Sequence, residues 1–139
     1  MMEGPMDNHS DKIITHLAIA PNLCGTPLFT HNGKSRVRLE TTREMAADDS
    51  GLVHGGFIFG LADYAAMIAV NHPNVVLGSS EVKFLKPVRM GDTLTADAHT
   101  ESITGKKHIV SVSVTREGDE VFTGRFTCFA LEKHVLTGK

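Results

Sequence analysis

A run of apolar residues in the middle of the chain limits the possible folds more than any other feature. Residues 57–70 read Phe-Ile-Phe-Gly-Leu-Ala-Asp-Tyr-Ala-Ala-Met-Ile-Ala-Val, which leaves no polar face for water. A helix that is apolar on all sides is buried in a protein core or in a membrane. Fourteen residues are too few to cross a bilayer, which needs about 20. The sequence therefore predicts a helix enclosed by the rest of one domain.

One residue of this run is charged. Asp63 lies at its centre, and burial of an unpaired carboxylate costs several kcal/mol. His54-Gly55-Gly56 precedes the run, and the free N–H groups and the dipole of a helix N-terminus favour negative charge. A buried acid and an anion-stabilising helix start together suit acyl transfer. Each also has a simpler interpretation: Asp63 as a structural acid, the glycines as a tight turn, and His54 as a side chain that bonds the helix N-terminus.

The composition is that of an ordinary globular domain, and it argues against several classes of partner. At 139 residues the chain can bury roughly two-thirds of its unfolded surface in one domain. A net charge of −2 gives no basic excess for nucleic acid, and 6% aromatic residues without Trp argue against base stacking. No block of like charges indicates a membrane-binding patch. We expect neither nucleic acid nor a membrane as partner.

The cysteines and the N-terminal sequence indicate a cytoplasmic protein. Cys24 and Cys128 are the only cysteines, and without a CxxC pair they are expected to be reduced thiols. The first twelve residues lack the apolar run of a signal peptide. Eight histidines are scattered without a ligand motif such as HExxH, so no metal site is expected.

The segment before the apolar run is expected to contain a flexible end, a short helix and a hairpin. Residues 1–12 are polar and predicted to be flexible, and residues 13–139 form the single domain. Ser10 or Asp11 is expected to cap a short helix that Pro21 ends. Asn32-Gly33 between two extended runs is a strong hairpin signal.

Extended runs with short turns between them predict an antiparallel sheet. Two runs precede the central helix and four follow it. The helix is expected to stop at Asn71-His72-Pro73, because a proline disfavours the helical conformation in the residue before it. The runs cover residues 26–30, 35–42, 75–86, 93–102, 107–116 and 121–131. A sheet that curls around one apolar helix covers only one side of it. We expect a second copy of the chain to cover the other side.

Two motifs resemble the PaaI-type acyl-CoA thioesterases of the hotdog superfamily. They are Gly51-Leu52-Val53-His54-Gly55-Gly56, followed by Asp63 on the helix, and Glu81-Val82-Lys83-Phe84-Leu85-Lys86-Pro87-Val88, followed by Gly91-Asp92. The resemblance covers residues 35–131, and it implies an α+β hotdog fold with an antiparallel β-sheet wrapped around one long central helix. It also implies hydrolysis of an acyl-CoA to free acid and coenzyme A, with no cofactor besides that substrate. Self-association as a homodimer, or as a homotetramer, is implied too.

The resemblance assigns roles to individual positions. Asp63 matches the family's nucleophile or general base, and the Gly55 N–H would polarise the thioester carbonyl with Gly56 and His54 beside it. Losing one such oxyanion donor typically costs 10²–10³ in rate. Asp48 stands where the family has a loop Asn, and a carboxylate cannot donate a hydrogen bond as an amide can.

Further positions are expected to hold the substrate. The family's Ser or Thr at the strand after the helix falls at Ser79 or Ser80. Lys83, Lys86 and Arg89, with Lys106 and Lys107, are candidates for charge-assisted contacts with the coenzyme A phosphates. Their simpler interpretation is that of ordinary solvated strand faces.

A second resemblance keeps another function open. Residues 118–126, Gly-Asp-Glu-Val-Phe-Thr-Gly-Arg-Phe, resemble part of the acyl-binding hotdog domain of a bacterial fatty-acid regulator, which binds acyl thioesters without hydrolysing them. The alternative is therefore a non-catalytic acyl-CoA binding or regulatory protein. A dehydratase or hydratase is disfavoured, because the sequence lacks the Asp-x-Asn-Pro-x-His signature of those enzymes.

Overall fold

The computed structural model describes residues 9–137 as one antiparallel sheet folded around one long helix. The elements are α1 (Pro21–Cys24), β1 (Thr26–His31), β2 (Lys34–Glu40), a 3-10 turn (Arg43–Met45), α2 (Gly55–Val70), β3 (Val75–Phe84), β4 (Thr93–Thr104), β5 (Lys107–Arg116) and β6 (Asp119–Ala130). The strand order is β1-β2-β4-β5-β6-β3, and every neighbouring pair is antiparallel. This confirms the predicted α+β hotdog architecture. The first eight residues of the segment predicted to be flexible lie outside the described range.

The core lies between α2 and the inner face of the sheet. Alternate residues of β2, β4 and β5 point toward the helix and are fully or almost fully buried, as the period-two patterning predicts. They include Val37, Leu39, Leu94, Ala96, Val110, Val112 and Val114. From α2 itself, nine of the sixteen residues are buried. No helix among residues 9–137 is long and apolar enough to cross a membrane.

Local chemistry sets the ends of the first hairpin and of α2. Asn32 and Gly33 both have positive φ, 51° and 76°, as a two-residue turn between β1 and β2 requires. The central helix ends at Asn71, whose left-handed conformation lets its N–H donate to Met67 O at 2.8 Å. Hydroxyls of the first two strands secure the helix: Thr30 Oγ1 donates to Ile68 O and Ser35 Oγ to Ala65 O, each at 2.7 Å.

The short helix predicted before Pro21 is wrong. Its backbone groups are bound elsewhere, since Asp11 N–H donates to Thr30 O at 2.7 Å and Ile14 N–H donates to Asn71 Oδ1 at 2.9 Å. Residues 9–20 are therefore irregular, and α1 begins at Pro21, where the predicted helix was expected to end. Proline suits the first helical position because its missing N–H would have no intrahelical partner.

Candidate functional site

The carboxyl group of Asp63 is an isolated acid in the middle of α2. Its Oδ1 is buried and has no hydrogen-bond partner among residues 9–137. Burial raises the pKa of Asp63 from 3.8 to about 6, because loss of hydration penalises the charged form. The structural interpretation of Asp63 required hydroxyl or backbone donors, and this oxygen has none. A half-buried acid with one buried, unpartnered oxygen and a pKa close to neutrality is a candidate for proton transfer.

Two thiols lie within electrostatic range of Asp63. Burial, followed by the charge of Asp63, raises the pKa of the Cys24 thiol in α1 and raises that of Cys128 in β6 to about 12. Both thiols stay protonated at neutral pH, and a thiol is a poor nucleophile compared with a thiolate. Of these three groups, Asp63 is the one whose pKa lies close to neutral pH.

At the N-terminus of α2, His54 acts as the capping residue. Its Nδ1 accepts a hydrogen bond from Gly56 N–H at 2.8 Å, so the simpler interpretation of His54 is what the geometry shows. A Cβ on Gly56 would lie 2.9 Å from this same nitrogen, so a side chain there would displace the cap. The Gly56 N–H is occupied, and Gly55 is left as the candidate oxyanion donor.

Gly55 contributes to the wall of a pocket of about 310 Å³. No acceptor is bonded to its N–H in the part of the chain that the structure describes. The wall is mostly apolar, with Phe84, Leu85 and Val88 among its residues and Lys86 as its charged member. A free amide at the positive end of a helix, in an apolar pocket, can stabilise a developing oxyanion.

Gly55 and Asp63 cannot serve one thioester within a single chain. Eight residues along a helix correspond to about 12 Å of rise and leave the two positions some 80° apart around the axis. A reacting carbonyl has to lie within about 3 Å of both groups. The two halves of the candidate machinery are therefore separate in one protomer.

The carboxylate of Asp48 faces its own loop. It is exposed, and its Oδ1 accepts hydrogen bonds from Ser50 Oγ at 2.6 Å and from Ser50 N–H at 3.0 Å. These bonds hold the pKa of Asp48 below its usual range. The acid shapes the loop that leads to α2, and it remains ionised there.

A β-bulge separates the two candidate serines. The register of β3 against β6 shifts between Leu77 and Ser79, after which Ser79 pairs with Thr127 and Ser80 with Phe126. Directly paired residues share one face of a sheet, so Ser80 lies on the inner face with buried Phe126. Ser79 is exposed on the outer face, which leaves Ser80 as the better candidate.

The basic residues do not converge on one place. Lys83 is exposed and pairs with Thr123 on the outer face, whereas Lys86 lines the pocket at Gly55 with its Nζ 3.7 Å from Asp119 Oδ2. Arg89 lies near the start of α2, where its backbone forms an isolated antiparallel β-bridge with Leu52.

The last two basic candidates lie far from the others. Lys106 and Lys107 are at the opposite end of β5 from Arg116, and nine strand residues span about 30 Å. Only Lys86 and Arg89 are therefore placed near the candidate site.

Sequence reasoning missed Arg116. Its Nη1 donates to Pro87 O at 2.7 Å and pairs with Asp92 Oδ2 at 3.3 Å, and the same Asp92 oxygen accepts from Arg89 N–H at 2.9 Å. These bonds fix the β3–β4 connection that forms the pocket wall. The Gly91-Asp92 motif marked the connection, but nothing in the sequence pattern marked its partner on β5.

A cavity of about 730 Å³ is on the outer side of the sheet. Charged and hydroxyl side chains surround it, including Arg36, Asp97 and Ser111, and Arg36 Nε donates to Asp97 Oδ1 at 2.6 Å. Neither Asp63 nor Gly55 lines it. Size alone does not identify this cavity as the site, because the acid with the raised pKa is elsewhere.

Two curated relatives are similar to parts of this chain. The methylthioribose-1-phosphate isomerase of Aquifex aeolicus is 50% identical over 121 residues, which cover 86% of this chain and 26% of that protein. The transcription factor FapR of Caldanaerobacter subterraneus is 32% identical over 97 residues, covering 70% of this chain and 48% of FapR. The chain thus spans about a quarter to a half of these relatives, whose names describe longer proteins.

The family of this chain follows from a matching family model and is supported by similar solved structures. The uncharacterized protein PH1136 from Pyrococcus horikoshii is 52% identical with a TM-score of 0.91, covering 92% of this chain and 98% of that one. A mutant of the phenylacetic acid degradation protein PaaI from Thermus thermophilus is 29% identical with a TM-score of 0.72, covering 78% and 95%. The family model described as the thioesterase superfamily matches residues 50–123, from the loop before α2 into β6. This chain belongs to the thioesterase superfamily.

Proposed function

We propose that the protein is an acyl-CoA thioesterase in which Asp63 is the catalytic acid–base group. The observation that carries this proposal is the half-buried Asp63 carboxyl, whose Oδ1 is buried without a partner and whose pKa is about 6. A general base works best when its pKa lies near the working pH, because it is then both largely ionised and able to take a proton.

The proposed reaction needs one base and one oxyanion donor. Asp63 takes a proton from water as the water oxygen adds to the thioester carbonyl carbon, and the Gly55 N–H holds the resulting oxyanion. Collapse of this intermediate breaks the carbon–sulfur bond, and the proton returns to the departing thiolate. Direct attack by Asp63 through a mixed anhydride remains the alternative, with water then hydrolysing the anhydride.

Two protomers supply the groups of each proposed site. Gly55 and Asp63 of one chain are about 12 Å apart along the helix, so the acid beside Gly55 is Asp63 of the partner subunit. The open side of α2 supports this arrangement. Gly56 and Gly60 lie on the same helix face as Asp63, Gly56 is exposed, and a Cβ at Gly60 would meet nothing within 4 Å.

Release of free thiol from a panel of acyl-CoAs tests the proposal. Asp63→Asn keeps the shape of the side chain and removes the base, so turnover is expected to fall by roughly 10²-fold or more. Gly55→Pro deletes the N–H, and its turnover is expected to fall by roughly 10²–10³-fold. Gly55→Ala is the matched control, because it adds a comparable Cβ and keeps the N–H. Hydrolysis by Asp63→Asn within a few-fold of the wild-type rate would overturn the mechanism.

A second candidate is a protein that binds acyl thioesters without hydrolysing them. The similarity to FapR, together with a carboxylate at Asp48 where the thioesterases have an amide, favours this alternative. Thermal-shift measurements on the same acyl-CoA panel separate the two functions. Stabilisation of the fold without release of thiol supports binding alone, and release of thiol supports the enzyme.

A further inference from the structure

Two histidines and one aspartate meet beside the first hairpin, away from the candidate thioester site. His9 Nε2 is 3.1 Å from Asp11 Oδ1, and His31 Nδ1, at the end of β1, is 3.4 Å from both oxygens of Asp11. One donor atom from each residue lies within 4.8 Å of the other two. The two rings meet edge to face, 79° apart with centroids separated by 4.4 Å. Each imidazole thus presents a ring nitrogen to the same carboxylate.

The two distances from the imidazole nitrogens to the Asp11 carboxylate, 3.1 Å and 3.4 Å, match the spacing of ligands around a small metal ion. With metal–ligand bonds of about 2.0–2.1 Å, tetrahedral geometry places neighbouring ligand atoms roughly 3.3–3.4 Å apart. Two imidazoles and a carboxylate are ligands that Zn²⁺ accepts, and all three side chains are exposed enough for water to complete the coordination.

The backbone holds the three residues together independently of their side chains. Asp11 N–H donates to Thr30 O at 2.7 Å, and Thr30 N–H donates to Ser10 Oγ at 3.1 Å. These bonds fix the N-terminal segment next to β1, so two ligands twenty or more residues from His31 in sequence arrive beside it. Motif spacing predicts no metal site, because the contact between the N-terminal segment and the end of β1 joins residues that are distant in the sequence.

We infer that His9, Asp11 and His31 form a binding site for a divalent transition-metal ion, with Zn²⁺ as the best match. The bound ion joins the N-terminal segment to the end of β1. None of the three residues lines the pocket at Gly55, and the inference does not depend on the thioesterase proposal.

Calorimetric titration of the metal-free full-length chain with Zn²⁺ tests the inference. The expected result is binding of one ion per chain at pH 7.5. A hundredfold excess of Zn²⁺ over its Kd should raise the Tm by roughly 5–10 °C. The absence of binding heat at pH 7.5 would overturn the inference.

Substitution of the proposed ligands tests where the ion binds. His31→Ala and Asp11→Asn are each expected to weaken Zn²⁺ binding by roughly 10-fold or more, and the control His99→Ala, an exposed histidine of β4, should bind as the wild type does. Circular dichroism of the metal-free variants checks that they fold. Unchanged stoichiometry and affinity in folded His31→Ala would show that the ion binds elsewhere and would overturn the assignment. Thiol release with and without Zn²⁺ should be the same.

Discussion

The raised pKa of Asp63 links the stability of the fold to pH. Below pH 3.8 the carboxyl is protonated in both the folded and the unfolded chain, and its contribution to folding is then most favourable. As the pH rises through about 6 the folded protein must bury a charge, and this part of the stability is lost. The shift from 3.8 to about 6 corresponds to about 3 kcal/mol.

Asp63→Asn removes this pH dependence, since an amide does not titrate. Relative to the wild type, the free energy of unfolding of the variant is expected to increase by about 3 kcal/mol between pH 3.5 and pH 8. Urea denaturation at the two pH values measures the difference. Equal differences at both values would show that Asp63 is not held at a raised pKa. A stabilised but inactive variant is typical of a group kept for function.

The charge of Asp48 is separable from its hydrogen bonds. In Asp48→Asn the side-chain oxygen can still accept from Ser50 N–H and Oγ, while the new amide can donate to water or to a carbonyl. We expect thiol release at the wild-type rate or above it. Asp48→Ala loses both bonds, and we expect it to loosen the loop and lower activity. Loss of activity in Asp48→Asn alone would instead mean that the carboxylate itself takes part in the chemistry.

At the residue scale, the sequence identified single unusual residues better than it identified contacts between residues distant in the chain. Asp63 was conspicuous because a charge interrupts an apolar run, and the glycines marked the helix start for the same local reason. The choice between Ser79 and Ser80 depended on the bulge near Gly78, which shifts which side chain faces the core. Arg116 gave no signal at all, because its partners Pro87 O and Asp92 Oδ2 are 29 and 24 residues away in the sequence.

At the scale of elements, the connection from α1 to β1 depends on a glycine. Gly25 has a φ of 110°, and a Cβ there would lie 2.8 Å from Val37 Cγ1 and 3.0 Å from Arg38 O. Gly91 is a matched control, since its φ is 97° and nothing lies within 4 Å of its Cβ position.

Replacing either glycine by alanine is expected to lower the free energy of unfolding, and Gly25→Ala should lower it more than Gly91→Ala. The backbone cost for Gly91→Ala is about 1–2 kcal/mol. Gly25→Ala adds a steric clash with the core, for roughly 1–3 kcal/mol more. Chemical denaturation of the two variants measures the difference. Equal losses would mean that Val37 and its neighbours move aside freely.

The alternation of apolar and polar residues predicted the sheet well, because each strand has one solvent-exposed and one buried face. In the run 107–116, Val110, Val112 and Val114 alternate with polar residues and are buried, and β5 has those bounds. The predicted helix before Pro21 failed because a local capping signal competed with bonds to Thr30 and Asn71, which are distant in sequence. The end of β3 differed for a similar reason: Leu85 and Lys86 N–H both donate to Val121 O, which closes the strand at Phe84.

At the scale of the whole molecule, the separation of Gly55 from Asp63 predicts a site shared between two chains. A two-fold axis that brings antiparallel copies of α2 together would place Asp63 of the partner subunit opposite Gly55, and would generate two such sites. Complementation between two inactive variants tests this arrangement. Asp63→Asn lacks the acid, and Gly55→Pro lacks the oxyanion donor.

The fold is expected to tolerate Gly55→Pro. Gly55 is the first residue of α2, where proline is favoured, and His54 has φ −64° and ψ 134°, a conformation compatible with a following proline. A Cβ at Gly55 would lie 3.1 Å from Phe84 Cε1, so the ring must shift slightly. Gly55→Ala adds a comparable Cβ while keeping the N–H, and it therefore separates the steric effect from the loss of the donor.

Co-refolding the two variants in equal amounts should restore activity. Random pairing makes about half of the dimers mixed, and each mixed dimer has one intact site of two, so about a quarter of the wild-type activity should return. A double variant carrying both substitutions gives the reciprocal test. Mixed in equal amounts with the wild type, it should halve the wild-type activity if sites are shared, because every mixed dimer is then inactive. If each chain has its own complete site, the single variants will not complement and the double variant will not inhibit.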